Sequence, residues 1–314
     1  MKSSQRDFYD RMYLKGYMVD WPLFQIKRIG EIIDQIDLPD KGIAIDYGCG
    51  NGILTSVLKT KLPSWEVYGC DISQVSIENA SKDFPECSFF VLGDSSQIEA
   101  DFLFSHHVLE HVYDLEEALV EIDSFMKAVS KMLHIFPCGN KGSLEFKIAS
   151  MVKNGIDVDM GNRFHFEEES HLRRIRSNEF IYKVSELGFQ SITAFFSNHF
   201  VGSIRYYSQS NLKQIILLTQ YKNSLKVEWS IKLVLLRFFL VSLFFAQLPF
   251  RIFKKVSKQR NVTVNLLFIP FSPIIILSFV AKALVDYFAD LEWRKKRDST
   301  SGSESFLVFE RSRS

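Results

Sequence analysis

The residues best suited to chemistry stand in one short stretch and at set distances after it. AIDYGCGNG (44–52) is an apolar run that ends in Asp46 and passes into Gly48-x-Gly50-x-Gly52. Glycines so spaced let a backbone turn sharply off a strand and approach a ligand, with amide N–H groups and the start of the next helix aimed at it. The dinucleotide fingerprint needs a further glycine at position 53, where the chain has Ile53, so the loop favours a ligand without a diphosphate. Asp71 follows 25 residues after Asp46, at the end of VYGCDIS, where a carboxylate can accept hydrogen bonds from both hydroxyls of a ribose. Ile72 beside it offers an apolar face to a base, and Asp94 in LGDS can accept from an adenine amino group. FLFSHHVLEHV then brings His106, His107 and His111, side chains able to move a proton near neutral pH.

Strands must carry these residues, and helices must space the strands. From Lys41 onward, short apolar runs alternate with stretches of helical period, the pattern of βαβ units and a mainly parallel sheet. It predicts strands over 42–47, 66–70, 88–92, 102–105 and 132–136, and helices over 21–36, 52–60, 75–84, 115–128 and 177–187. Polar groups then collect at the carboxyl ends of successive strands, where open α/β sheets bind ligands. Tyr9 and Tyr13 read as part of an N-terminal arm packed on the sheet, with a lid over the ligand as the alternative. HVLEH on one short turn reads as structural, so no metal is assigned.

Taken in order, DYGCGNG, CDIS, GDSS and FLFSHHVLEHVYD resemble the successive motifs of class I S-adenosylmethionine-dependent methyltransferases, over about 41–189. The resemblance implies an α/β fold with a Rossmann-like seven-stranded methyltransferase sheet, mainly parallel with the last strand antiparallel. Helices cover both faces, and S-adenosyl-L-methionine lies over the glycine loop. The loop's role falls to Asp46, Gly48, Cys49 and Gly50, the ribose side to Asp71 and Ile72, the adenine side to Asp94 and Ser95, and a place at the end of the fourth strand to Ser105. RFHFEEESHLRRIRSNEFIYKVSELGFQ (163–190) resembles the family's segment after strand five. This makes His165, together with His107, the candidate base, a role needed only when the acceptor is a hydroxyl. The turn before the fifth strand departs from the family pattern, reading MKAVSKMLHIF where glycines are usual. QSITAFF (190–196) and SFLVFER (305–311) fit the family's closing hairpin.

Overall composition is ordinary: 314 residues, 46% apolar and 24% charged, with a formal net charge of +1. That excludes a disordered tail and a nucleic-acid binder relying on bulk charge. The four cysteines form no metal-type C-x-x-C pair and MKSSQRDFYD lacks an apolar signal core, so a reducing, cytoplasmic-side setting is expected. The average conceals an asymmetry. Residues 202–285 hold twelve Lys or Arg and one acid, net +11, whereas 26 basic and 36 acidic residues elsewhere leave −10.

Two apolar runs, 233–250 and 264–281, lie in the same window, each near the lower limit for spanning a bilayer. The organisation thus reads as an arm and helix (1–40), a methyltransferase-like domain (41–201 with 303–314) and a basic, apolar helical insertion (202–302). At about 100° per residue, Arg237, Gln247, Arg251, Lys254, Lys255 and Lys258 share one arc. Pro249 is expected to interrupt the first helix, and Pro270 and Pro273 to break the second run in its middle. This suits a monotopic anchor on the cytoplasmic face, with 231–285 drawn to an anionic membrane surface. A two-span hairpin, a buried subdomain or a dimer interface are the alternatives, and the oligomeric state is left open. Nucleic acid is excluded as a partner, because the basic residues interleave with apolar runs. The expected activity is O-methylation of a membrane-adjacent small molecule, such as a lipid-linked or surface-polysaccharide sugar. A prenylated quinone as acceptor, or a non-catalytic nucleotide-binding scaffold, are the competing readings.

Overall fold

In the computed structural model the described residues are 2–18, 20–93, 98–257 and 268–311. Strands β1 (Ile43–Tyr47), β2 (Glu66–Asp71), β3 (Ser88–Val91), β4 (Ala100–His106) and β5 (Met126–Pro137) lie in the order β3-β2-β1-β4-β5, every neighbouring pair parallel. Two short strands, β6 (Ile156–Asp157) and β7 (Arg163–Phe164), form a separate antiparallel ribbon. β8 (Phe189–Ser197) and β9 (Glu304–Arg311) complete a seven-stranded sheet, with β9 between β5 and β8. The expected Rossmann-like α/β sheet is therefore present. Its strand order reverses between β1 and β4, the switch point where such sheets take ligands.

Parallel neighbours need long crossovers, and helices supply them. After α1 (Lys2–Leu14) and α2 (Leu23–Ile33), α3 (Ile53–Lys61) joins β1 to β2, α4 (Gln74–Asp83) joins β2 to β3, and α5 (Leu115–Ser124) joins β4 to β5. Their starts carry the sequence signals that open helices. The Ser73 hydroxyl caps α4 by accepting from the Ser76 amide, and the Asp114 carboxylate caps α5 by accepting from the Glu116 and Glu117 amides. One boundary differs from the sequence expectation: α5 stops at Ser124, and MKAVSKMLHIF is strand throughout. The Ala100 amide donates to the Phe125 carbonyl and Met126 pairs with Ala100, so sheet pairing overrides the helical preference of Lys, Ala and Met.

The remaining helices are α6 (Leu144–Met151), α7 (Ser177–Ser185), α8 (Val201–Gln209), α9 (Leu212–Leu218), α10 (Val227–Ser257) and α11 (Ser272–Lys296). The chain packs as two compact units. The first comprises 1–136, 178–194 and 306–314, and the second 137–177 and 195–305. Residues 137–177, read from the sequence with the methyltransferase-like domain, thus cluster with the segment between β8 and β9. In the first unit the core is sheet-centred, with Ile45, Phe104, Leu133, Phe180 and Phe309 buried. The second has its own core, built on Ile148, Phe164, Ile204, Ile215 and Leu240.

The expectation for Pro249 is corrected. α10 runs for 31 residues straight through Pro249, because the Phe250 amide next to it donates to Ser278 Oγ at 3.0 Å instead of being left unsatisfied. In the second run α11 begins at Ser272, with Pro273 in its first turn where a missing N–H costs little; the start of that run, 264–267, lies outside the described residues. The polar arc on α10 is also spent differently. Arg237 donates to Thr219 Oγ1 at 2.9 Å, Gln247 to Ser208 Oγ at 3.3 Å and Arg251 to the Ser210 carbonyl at 2.9 Å, so these three serve the protein's own helices. Lys258 lies outside the described residues.

Phe180 is fully buried, with ring centroids 4.8 Å from Phe136, 5.3 Å from His134 and 5.9 Å from Phe309. Phe180→Ala should lower unfolding free energy by about 3–5 kcal/mol in urea titrations monitored by circular dichroism.

Candidate functional site

At the carboxyl ends of β1, β2 and β4 a cleft opens, lined by residues of the strand ends and of the N-terminal arm. Its floor is the loop after β1. Gly48 has φ +75°, and a Cβ there would come within 2.3 Å of Val108 Cγ2, so both the turn and the close packing require glycine. The Gly48 and Cys49 amides donate to the Cys70 carbonyl at 2.8 and 2.9 Å, tying the loop to the end of β2. The Cys49 side chain packs with Ile77 and Val91, and burial raises its thiol well above the ordinary value, so it is no nucleophile.

Two buried carboxylates flank the loop. Asp46 accepts from Thr55 Oγ1 at 2.6 Å, and burial pushes its pKa up to about 7, the Thr55 bond opposing and the nearby Asp71 adding. Asp71 accepts from the Gly50 amide at 3.0 Å and the Ser73 amide at 2.9 Å. Burial raises its pKa, and those two backbone donors pull it down.

At the end of β4, His107 is held at φ +54°, a sparsely populated conformation for a side chain of its size. Its ring stacks on His106 with centroids 4.4 Å apart, and its Nδ1 is 3.3 Å from Glu110 Oε1. Glu110 is fully buried and stands 3.9 Å from His111 Nε2. His106 also meets the edge of Trp21 at 4.7 Å.

α1 covers the same cleft. Tyr9 and Tyr13 line it together with Tyr17, and burial raises the phenols of Tyr9 and Tyr13. The helix is fastened to the strand ends. Arg6 donates to the Ile72 carbonyl at 2.9 Å and the Leu92 carbonyl at 3.3 Å, Asp10 accepts from Ser73 Oγ at 2.5 Å, and Gln5 donates to the His111 carbonyl at 2.8 Å. The arm is therefore both packed on the strand ends and part of the cleft wall. Sequence reasoning missed Tyr17, Met18 and Trp21, although Tyr9, Tyr13 and Tyr17 stand four residues apart, a spacing that puts residues on one helical face.

Of the residues expected from the sequence, Asp46, Gly48, Cys49, Gly50, Asp71, Ile72 and His107 line this cleft. Ser105 does not: it is 1% exposed, with its hydroxyl 2.7 Å from Nδ1 of His134, whose pKa burial lowers to about 3. Along a strand successive side chains alternate, and His106 takes the cleft side. His165 is not a cleft residue either. It belongs to the second unit, edge-on to Phe166 at 5.1 Å, with a pKa lowered by burial. Asp94 and Ser95 lie outside the described residues.

The fold is that of a Rossmann-like α/β domain with a cleft at the switch point of its sheet. Residues 45–132 match the family described as "Methyltransferase domain". The chain is 30% identical over 88 residues to a trans-aconitate 2-methyltransferase of Methylobacterium radiotolerans, covering 27% of this chain and 34% of that protein. It is 31% identical over 102 residues to the juvenile hormone acid O-methyltransferase of Bombyx mori, covering 29% and 37%. The chain spans less than half the length of these curated relatives. Among solved structures, magnesium protoporphyrin IX methyltransferase from Synechocystis with bound SAH aligns with a TM-score of 0.43 and 18% identity, over 64% of this chain and 95% of that one. The cofactor of the domain is S-adenosylmethionine, as expected from the sequence. The lining suits it: the Asp71 carboxylate and an aromatic wall around one cleft fit a ribose-bearing sulfonium cation.

Because Asp46 titrates near 7 when folded and near 4 when unfolded, the folded state holds the extra proton between those values, and stability falls as pH rises through that window. Asp46→Asn removes the effect. Its stability relative to the parent, followed by thermal melts without cofactor, should rise from pH 4 to pH 7 and then level off. Gly48→Ala should destabilise by about 2–4 kcal/mol, with part of the loss restored by adding Val108→Ala.

Proposed function

We propose that this chain is an S-adenosylmethionine-dependent methyltransferase that O-methylates a membrane-adjacent small molecule, such as a lipid-linked or surface-polysaccharide sugar. The observation that carries the reading is the convergence of the glycine loop, Asp71 and the His107–Glu110 pair on one cleft at the switch point of the sheet.

S-adenosylmethionine supplies a methyl group made electrophilic by its sulfonium. The protein's task is to hold donor and acceptor in line and to keep water out. Asp71 and the Gly48–Gly50 backbone position the ribose end, with Ile72 against the base. Asp71, held by two backbone donors, adds negative charge on the side of the cleft that faces a cation. His107, oriented by buried Glu110, takes the proton from an acceptor hydroxyl as its oxygen attacks. Two relatives are named for small-molecule acceptors, one of them as an O-methyltransferase. A membrane-adjacent acceptor is supported by the apolar length of α10, a helix long enough to cross a bilayer. His165 receives no role in this reading.

Labelled-methyl transfer into membrane extracts tests it. The parent protein should label a lipid-soluble or a polysaccharide component. His107→Ala should do so about 10²–10⁴-fold more slowly, with S-adenosylhomocysteine affinity essentially kept. Label appearing only in free water-soluble small molecules, with none in lipid or polysaccharide, would remove the acceptor class, and unchanged turnover in His107→Ala would remove the base.

A further inference from the structure

α10 and α11 pack beside each other and on α8, yet their polarity is reversed from that of a water-soluble bundle. Three polar side chains in the middle of α10 point inward: Arg237, Gln247 and Arg251 are bonded to groups on, or next to, α8 and α9, while Glu228, Lys232, Lys254 and Lys255 near its ends are exposed. On α11, Ser278 accepts from α10, and Asp286 and Asp290 hold Gln209 and Arg205 of α8, each at 2.8 Å. The outward faces carry the large apolar residues. Leu235, Phe238 and Phe245 recur along α10 and Ile276, Leu277 and Leu284 along α11, with Phe238 74% and Leu277 69% exposed. Apolar stripes outside and polar contacts inside are what hydrocarbon solvent demands of helices.

We infer that the α10–α11 hairpin is embedded in the hydrocarbon of a bilayer, its apolar stripes facing acyl chains. This rests on the membrane-associated reading above and deepens it, replacing headgroup adsorption by lipid-chain contact. The outward stripe from Ile231 to Ile252 is about 33 Å long at 1.5 Å per residue, close to a bilayer's hydrocarbon thickness. Exposed cations bracket it: Lys226 before and Lys254 and Lys255 after on α10, and Arg294, Lys295 and Lys296 at the end of α11. Trp229 lies under the Lys226 ammonium at 4.9 Å, an aromatic and a cation together where an interface would fall. A second copy of the chain is the less suitable cover, because residues 227–296 hold eleven Lys or Arg and four acids, and two such segments of net +7 repel whereas anionic headgroups attract them.

The four native cysteines are buried, so a new surface cysteine can be labelled selectively. Phe238→Cys, Leu277→Cys and, as an exposed control in the first unit, Glu116→Cys each carry an environment-sensitive fluorophore. The full chain is mixed with phosphatidylglycerol–phosphatidylethanolamine vesicles, with or without a lipid bearing a quencher near the bilayer centre. The inference expects blue-shifted emission and several-fold quenching at 238 and 277, none at 116, and retention of the parent protein on vesicles in alkaline carbonate. Blue shift without vesicles, unaffected by the quencher, would overturn it in favour of a second copy. Aqueous emission with vesicle binding that salt reverses would overturn hydrocarbon contact while leaving membrane association standing. No vesicle binding would remove both.

Discussion

The Asp71 carboxylate at the end of β2 is the contact on which the cleft depends. One oxygen holds the Gly50 amide and the other the Ser73 amide, so a single buried charge joins the glycine loop after β1 to the start of α4. Ser73 passes the connection on, capping α4 with its hydroxyl oxygen and donating to Asp10 of α1. Loop, helix start and covering helix are thereby set from one point. A carboxylate is held there against a burial cost because it has two amide donors. The same cost makes the site selective for ligands that bring further donors or positive charge.

His107 adds a second constraint. Its left-handed backbone turns the chain sharply off β4 and brings its ring above His106 and beside Glu110. A strained residue at a strand end, lining a cleft and paired with a buried acid, is a common arrangement for a proton-handling group. Trp21 edge-on to His106 and the tyrosines of α1 enclose this region, lowering its polarity and strengthening every charge interaction within it. The second unit follows a different logic. Its polar residues are used to bind its own helices together, and its apolar residues are left outward.

Much of the first unit was legible in the sequence, since the strands that matter are short, apolar and bounded by turn residues. Asp46, Gly48, Gly50 and Asp71 could be placed because their positions follow from strand ends, which are local. What escaped depended on long-range pairing. The bonds that fasten α1, such as Arg6 to Leu92, link residues 86 apart and leave no local trace. Ser105 was misplaced because strand alternation fixes which residues share a face but not which face meets the ligand. Similarly, a count around the helix put Arg237, Gln247 and Arg251 on one side of α10, yet nothing local says whether that side meets lipid headgroups or other helices. Pro249 looked like a break because its compensating acceptor, Ser278, lies 28 residues from Phe250.

The central claim is that the cleft at the strand ends binds S-adenosylmethionine through the Asp71-centred loop. Titration calorimetry of S-adenosylhomocysteine against the parent protein, Asp71→Asn and Asp71→Ala tests it most directly. Circular dichroism establishes that each variant is folded. The account predicts one-to-one binding by the parent, an intermediate loss for Asp71→Asn, and at least a tenfold loss for folded Asp71→Ala, about 1.4 kcal/mol or more. No binding by the parent, or equal affinity in all three, would contradict it.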